Sequence, residues 1–199
     1  MDALSTIALV AGIGWASGIR LYAVLFFLGL LHQTGLYVLP EGLVALAHPA
    51  VMAVSGTLFV TEFFADKIPG FDTLWDAVHT FVRIPGGALL AALAVAGHDS
   101  GFALAAALLG GLVAAGSHFT KAGGRAMLNV SPEPFTNWTA SFSEDTLAIA
   151  VLWTAIKYPL ILLFGLLIFI VVAIWLLPKL WRGIRRLLQA IGALHGGRA

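Results

Sequence analysis

Arg20 is the most chemically informative residue of the sequence, because it lies inside an apolar stretch that covers residues 3–31. An arginine at the centre of a membrane helix costs about 2.5–3.5 kcal/mol on insertion scales, and it normally has a partner. The acids expected at a similar depth are Glu62, Glu144 and Asp145. We therefore predict that Arg20 pairs with one of them. In one interpretation Arg20 is a buried counter-ion or contacts an anion in a functional site. In the other it forms a purely structural ion pair, or its side chain snorkels towards the membrane surface.

A second group of reactive side chains lies between residues 118 and 145, where Lys, Arg, Asn, Glu and Asp are interrupted by glycines, Pro132 and Pro134. We interpret this polar segment as a loop that forms a functional face. Lys121 and Arg125 could hold an anion together with backbone N–H groups, or they could only follow the positive-inside bias. Glu144 and Asp145 could cap a helix or contribute to a site. The predicted substrate or ion pathway comprises Arg20, Glu62, Asp66, Lys67, Lys121, Arg125, Asn129, Glu133, Asn137, Glu144 and Asp145.

Asp72, Asp76 and His79 are spaced so that a helix would place them on one face. Two carboxylates and an imidazole in this arrangement could bind a divalent metal. The alternative is the solvated face of a short amphipathic helix over residues 72–82, whose apolar side would carry Leu74, Trp75, Val78 and Phe81. We favour the solvated face, since Lys67 and Arg83 lie nearby and no compact ligand motif is present.

The composition indicates that lipid is the solvent for much of the surface. Hydrophobic residues make up 60% of the 199 residues and charged residues 11%, and mean hydropathy is +0.96. The absence of cysteine excludes disulfides, thiolate metal sites and cysteine nucleophiles. No hydrolase elbow, zincin pair or nucleotide fingerprint appears. We therefore expect no cofactor and no nucleic-acid partner, and we expect the lipid bilayer and an ion or small polar solute as partners.

Apolar segments predict an all-α polytopic membrane bundle that forms a single transmembrane domain over residues 1–199. The six predicted spans cover residues 3–31, 49–65, 84–97, 101–117, 146–156 and 159–177. Two partly re-entrant polar segments, 66–83 and 118–145, separate them, and a basic tail covers 178–199. Gly12, Gly14 and Gly18 predict a break in the first span just before Arg20.

The distribution of basic residues predicts that both termini are cytoplasmic, since an even number of spans returns the chain to its starting side. Nine Lys and Arg residues then lie inside, and only Lys157 lies outside. Six spans divide into three plus three, which is compatible with an inverted repeat. Small residues at Gly110-Gly111 and over 103–107 predict self-association into a homo-oligomer.

Three motifs carry a resemblance that covers nearly the whole chain: Gly14-Trp15-Ala16-Ser17-Gly18-Ile19-Arg20-Leu21-Tyr22, Glu62-Phe63-Phe64-Ala65-Asp66-Lys67-Ile68-Pro69 and Ser131-Pro132-Glu133-Pro134-Phe135-Thr136-Asn137-Trp138. In these motifs the sequence resembles an uncharacterised bacterial membrane-protein family, domain of unknown function 4126. The resemblance implies a multi-pass protein of the bacterial inner membrane and no established activity. Glu62-x-x-x-Asp66-Lys67 also resembles the Glu-x-Gly-Asp-Lys motif of cation/proton exchangers, with a spacing one residue longer and without the glycine.

These features predict a small transporter or channel for an ion or small polar solute, because charged residues, broken helices and polar segments converge on one side of the membrane. One alternative is a membrane-embedded enzyme that acts on a lipid or a phosphorylated head group through residues 121–145. The other is a membrane scaffold protein. We expect transport rather than catalysis.

Overall fold

The chain folds into six α-helices and one 3-10 helix in the part that the computed structural model describes, which is residues 2–68, 70–129 and 134–196. The helices are α1 (Ala3–Gln33), a 3-10 helix (Glu41–Ala47), α2 (Pro49–Ala65), α3 (Phe71–Leu93), α4 (Ser100–Leu128), α5 (Pro134–Lys157) and α6 (Pro159–Gly196). No strand occurs within these described ranges. A helix satisfies its own backbone hydrogen bonds, which a lipid environment requires. The all-α prediction is confirmed.

Three helical stretches are long and apolar enough to cross a membrane: α1, α4 and residues 159–186 of α6. The 3-10 helix and α2 meet at an angle of 71°, and they give a fourth candidate span if they are counted as one broken span. These apolar helices are compatible with a membrane protein. By length and composition, α3 and α5 are not among the candidate membrane spans. The six predicted spans are therefore not confirmed.

α1 is the central helix of the bundle, and it contacts each of the other five α-helices. Its apolar residues form the core together with side chains of the neighbouring helices. The backbone of α1 is non-helical at Arg20, where φ is −147° and ψ is 73°. The predicted break is therefore present, and it lies at Arg20 itself.

The prediction that the polar segment 118–145 is a loop is wrong for most of its length. α4 continues to Leu128 and α5 already begins at Pro134. A proline is tolerated in the first turn of a helix because the N–H that it lacks would have no partner there. Glu133, one of the predicted pathway residues, lies outside the described residues. The predicted amphipathic helix over residues 72–82 and most of the third predicted span, residues 84–97, belong to one helix, α3, with Pro85 in its interior.

α3 turns its charged face towards the protein and its apolar face outwards. Asp72, Asp76 and Arg83 are fully buried, whereas Phe81 is 83% exposed. The expectation that Asp72, Asp76 and His79 form a solvated face is therefore wrong. An apolar outer surface over an internal polar face is the pattern expected where lipid is the solvent, because charged groups in a membrane face the interior of the bundle.

Small residues bring α1, α3 and α4 into close contact. A Cβ atom on Gly14 would lie 2.6 Å from the carbonyl oxygen of Gly110, and one on Gly18 would overlap Ser117 Oγ and the carbonyl of Ala114. Gly110 is therefore used for packing within the chain. Gly110 and Ala106, two of the small residues from which we predicted a homo-oligomer, are in this way buried within the chain, whereas Ala105 is exposed. The homo-oligomer stays a prediction.

We expect Gly18→Ala to destabilise the fold by about 1–3 kcal/mol, since the added methyl group forces apart two helices that have no free space between them. The matched control is Gly124→Ala, because a Cβ on this helical glycine meets no described atom within 4 Å. Alanine there should be neutral or slightly stabilising. The thermal unfolding midpoint of the purified protein in detergent measures both effects. Equal midpoints for the two variants would contradict close packing at Gly18.

Candidate functional site

The residues from both polar segments meet around the break in α1, where Arg20 is fully buried. Its guanidinium pairs with four carboxylates: Asp66, Glu62 at 3.9 Å, Glu144 at 3.3 Å and Asp145 at 2.6 Å. The predicted pairing of Arg20 with Glu62, Glu144 or Asp145 is confirmed for all three acids. Asp66 is the partner that we did not predict for Arg20, although its spacing of four residues from Glu62 places both acids on one helix face.

Lys121 connects the break in α1 to the acids of α2 and α3. Its Nζ lies 3.0 Å from Asp66 Oδ2 and 3.2 Å from Asp76 Oδ1. It also donates to the carbonyl oxygen of Ile19, at 3.4 Å. Ile19 directly precedes the non-helical residue Arg20, so Lys121 provides a hydrogen bond at a point where the regular helix is interrupted.

Arg125, one helical turn after Lys121, forms a two-pronged ion pair with Glu144. The distances are 2.8 Å from Nε to Oε1 and 2.9 Å from Nη2 to Oε2. Its Nη1 also donates to the backbone carbonyl oxygens of Asp66, at 3.0 Å, and Asn137, at 3.3 Å. A planar guanidinium suits such a fork, and charge-assisted bonds of this kind are among the stronger hydrogen bonds in proteins. Arg125 thereby joins α4 to α5 and to the end of α2.

Asn129 and Asn137 lie at the edge of the same assembly, where they connect the ends of helices. Asn129 donates to Asp72 Oδ1 at 2.7 Å, and Asn137 donates to Asn129 Oδ1 at 3.0 Å. Asp72 also accepts from the backbone N–H groups of Gly70 and Thr73. These contacts hold the start of α3 against the end of α4 and the start of α5.

Lys67 is placed in an aromatic enclosure at the end of α2. Its ammonium donates to the carbonyl oxygen of Phe63 and to Ser141 Oγ, at 2.9 and 3.3 Å. The rings of Phe63, Phe142 and Trp138 surround it, the last two at 4.8 and 5.4 Å from ring centroid to Nζ. Such rings attract a cation through their quadrupoles. Burial lowers the pKa of Lys67.

The surrounding cations determine the charge state of the Asp66 carboxyl group. Burial raises the pKa of this carboxyl, but Lys121, Arg20 and Arg125 outweigh burial and hold the pKa below its usual range. Asp66 therefore stays ionised in the folded protein. No described residue donates a hydrogen bond to its second oxygen, Oδ1, which is buried.

The sequence analysis missed two members of the assembly, Arg83 and His118. Arg83 is fully buried, pairs with Glu62, and lies 2.7 Å from Asp76. His118 is fully buried as well, with Nε2 2.7 Å from Thr80 Oγ1 and Nδ1 3.3 Å from Arg83 Nη1. In the sequence Arg83 counted only as a nearby cation that disfavours a metal site and as one of the basic residues expected on the cytoplasmic side. Its spacing of seven residues from Asp76, on the same helix face, could have revealed the pair.

The predicted metal ligands Asp72, Asp76 and His79 do not converge on a common point. Asp72 binds backbone N–H groups and Asn129, whereas Asp76 pairs with Arg83 and Lys121. The Nδ1 of His79 lies 2.8 Å from the carbonyl oxygen of Trp75, and its Nε2 lies 3.2 Å from the hydroxyl of Tyr22. Within the described residues, no group of three or more His, Asp or Glu side chains has an arrangement that could hold a metal ion.

We refer to the charged members of this assembly as the charge network. It comprises the cations Arg20, Lys67, Arg83, Lys121 and Arg125 and the acids Glu62, Asp66, Asp72, Asp76, Glu144 and Asp145. The predicted pathway residues in the described part of the chain thus lie together. Asn129 and Asn137 flank the charge network.

We expect Arg20→Gln to destabilise the protein by about 3–5 kcal/mol, because it leaves buried carboxylates without their counter-ion. Asp145→Asn in the same chain should recover part of this loss. Asp145 is the appropriate partner, since Arg20 is the one cation of the described chain within 4 Å of its carboxylate. Thermal unfolding in detergent of the two single variants and the double variant gives the coupling between them.

The control for that cycle is Glu41→Gln, which neutralises an exposed acid of the 3-10 helix outside the charge network. Combined with Arg20→Gln it should recover nothing. If Asp145→Asn restores no more stability to the Arg20→Gln variant than Glu41→Gln does, the Arg20–Asp145 pair does not stabilise the fold as the geometry indicates.

The region that matches a known protein family contains the whole charge network. Residues 7–179 match the family described as domain of unknown function (DUF4126). No curated protein and no solved structure shows a significant match. The match begins in α1, includes α2 to α5 and extends to residue 179 of α6. It confirms the family that the three motifs in α1, around the end of α2 and at the start of α5 indicated. The chain therefore belongs to the family of domain of unknown function 4126.

Proposed function

We propose that this chain is a small membrane transport protein, a transporter or channel for an ion or small polar solute, and that the charge network is its binding site. The observation that carries the proposal is the burial of this network at the break in the central helix. Ionisable groups inside a membrane are costly to maintain and commonly mark a pathway for ions, protons or substrate. A broken helix provides free backbone groups at the same place.

The cost of burial argues against a purely structural role for so many charges. Taking an ion pair out of water costs free energy that the pair often does not recover, and well-packed apolar residues are often as stable or more so. Arg20, Arg83, Glu62 and Asp66 are all fully buried. A bundle that only had to hold its helices together could do so with the small and apolar residues that already line α1, α3 and α4.

The composition of the charge network favours a cation as the transported or coupling ion. Six carboxylates face five basic side chains. His118 adds no positive charge, because its Nδ1 faces the cationic Nη1 of Arg83 and must accept a hydrogen bond. A neutral His79 can make both of its contacts, by donating to the carbonyl oxygen of Trp75 and accepting from the hydroxyl of Tyr22. No described residue donates to the buried oxygens Glu62 Oε2 and Asp76 Oδ2. A proton or a monovalent cation would neutralise the excess negative charge.

We further propose that all six α-helices span a bacterial inner membrane, with both termini in the cytoplasm and a three-plus-three inverted arrangement. α3 supports this proposal, because it hides its charges against protein and presents apolar residues outwards. Charges hidden in this way do not prevent a helix from crossing lipid. The exposed basic residues at the end of α6, Lys179, Arg182, Arg185 and Arg186, are typical of the cytoplasmic side.

The topology can be tested with single cysteines, since the natural chain has none. A cysteine replacing Gly97, between α3 and α4, should react with a membrane-impermeant maleimide in intact cells. A cysteine replacing the exposed Ile68, between α2 and α3, should react only after the membrane is permeabilised. Arg182→Cys is the control for the cytoplasmic side. Labelling of positions 97 and 68 from the same side would contradict the six-span arrangement.

Transport can be tested in proteoliposomes that contain a trapped pH-sensitive dye and are exposed to a jump in Na⁺ or K⁺. We expect the wild-type protein to convert one of these gradients into a change of internal pH. Arg20→Gln combined with Asp145→Asn should recover stability yet reduce the signal to the level of empty liposomes, while Glu41→Gln should leave it unchanged. A double variant as active as the wild type would mark the Arg20–Asp145 pair as structural. Absence of any wild-type signal would contradict a proton-linked pathway for these two cations.

A further inference from the structure

A lateral groove with one charged end runs over α1 between α5 and α6. Two adjoining cavities of about 260 and 270 Å³ form it, and they share Trp15, Leu147 and Phe169 as lining residues. The second cavity continues along apolar and small residues of α5 and α6, among them Val151, Ile161, Leu162, Gly165 and Leu166. Leu147 and Ile161 on its rim are more than half exposed, so the groove opens on the outer, apolar surface of the bundle.

The charged end of the groove belongs to the charge network. Lys121, Arg125 and Glu144 line the first cavity, beside the apolar side chains of Trp15, Ile19 and Phe169. This is the point at which the network is least buried. The side chain of Glu144 is 15% exposed, while those of Glu62, Asp66 and Asp72 are fully buried.

Three cations converge on the partly exposed carboxylate of Glu144. Arg125 binds Glu144 through both prongs of its guanidinium, Arg20 Nη2 lies 3.3 Å from Oε2, and Lys121 Nζ lies 3.5 Å from the same oxygen. Such a set of donors on α1 and α4 is the arrangement that would hold a carboxylate or phosphate from outside the chain. Glu144 therefore occupies the position that an anionic ligand entering the groove would share or take over.

Trp15, which lines both halves of the groove, carries a buried donor without a partner among the described residues. Its side chain lines both cavities and is about nine-tenths buried. Its indole N–H is buried, and no described residue accepts a hydrogen bond from it. Buried donors are normally satisfied, and tryptophan is common where an apolar body must meet a polar partner.

We propose that this groove binds an anionic membrane lipid. The phosphate of the head group contacts Arg125 and Lys121 in competition with Glu144, and an acyl chain lies along the second cavity between α5 and α6. Lys121 and Arg125 lie beneath Glu144 with at most 1% of their side chains exposed, so a phosphate reaches these two cations by displacing that carboxylate, although the charge network as a whole has an excess of acids. The length of apolar wall beyond them favours an amphiphile over a water-soluble ion. This site shares Lys121, Arg125 and Glu144 with the transport site proposed above, but its ligand enters sideways from the lipid and its apolar half lies outside the charge network.

The test is a titration of the purified, delipidated full chain in detergent, with bound lipid counted by native mass spectrometry. Dioleoylphosphatidylglycerol is compared with dioleoylphosphatidylcholine, which has the same chains but no net charge, and with glycerol 3-phosphate, which has no chains. We expect phosphatidylglycerol to bind at least tenfold more tightly than the other two. Glu144→Gln should increase its affinity several-fold, because the competing carboxylate loses its charge.

The apolar half of the site is tested independently by Gly165→Leu. A Cβ at Gly165 meets no described atom within 4 Å, so leucine fits the fold and projects into the groove that Gly165 lines. It should weaken phosphatidylglycerol binding at least tenfold. Gly97→Leu is the matched control, since this glycine is equally unobstructed but lies outside the groove, and it should bind as the wild type does.

Equal affinity for the two lipids in both the wild type and Glu144→Gln would overturn the charged end of the site. Unchanged binding in Gly165→Leu would overturn the acyl groove, and tight binding of glycerol 3-phosphate would replace the lipid by a soluble anion. None of these outcomes depends on ion flux in proteoliposomes, so failure of the lipid site and failure of the transport proposal are separate results.

Discussion

The ion pairing of Arg20 is the constraint on which the rest of the structure depends. A guanidinium with no exposed surface in the central helix must find its counter-charges within the protein, and four carboxylates reach it from α2, the turn after α2, and α5. Those carboxylates need cations of their own, which Arg83, Lys121 and Arg125 supply from α3 and α4. A single buried charge thus requires contributions from most of the bundle, since each partner that is drawn inwards must itself be neutralised.

Close backbone contact makes this convergence possible. Gly14 and Gly18 let α1 approach α4, and Gly110 lets α4 approach α3, until there is no room for a methyl group between the helices. Because α1 and α4 lie so close, a side chain as short as Ser117 donates to the carbonyl oxygen of Trp15 in α1. In lipid, where apolar surfaces gain little by meeting each other, such packing and the hydrogen bonds that it brings within reach are major sources of helix association.

Part of this arrangement could be predicted because its cause is local. The cost of an unpaired arginine among apolar residues predicts acidic partners, and the proline at the start of the second apolar run places α2 at Pro49–Ala65. The helical course of residues 118–128 was missed, because glycine and proline were taken as helix breakers by rules suited to water. In this bundle Gly123 instead provides space for Leu180 of α6. The burial of Asp72, Asp76 and His79 was missed for a related reason, since a sequence pattern shows that a face is polar but does not show whether water or protein covers it.

Glu144 has a special position, because it belongs both to the charge network and to the lateral groove. Its carboxylate is shared by Arg20, Lys121 and Arg125, so any group that draws Arg125 away from it changes the charge that faces Arg20. If a ligand binds in the groove and a cation binds around Arg20, as we propose, the two binding events are coupled through this one side chain. Thermodynamic linkage makes the influence reciprocal: a ligand in the groove that alters the affinity of the network for a cation has its own affinity altered by that cation to the same extent. The contact by which Arg125 holds Glu144 is therefore the physical connection between the apolar lateral groove and the charges buried at the centre of the bundle.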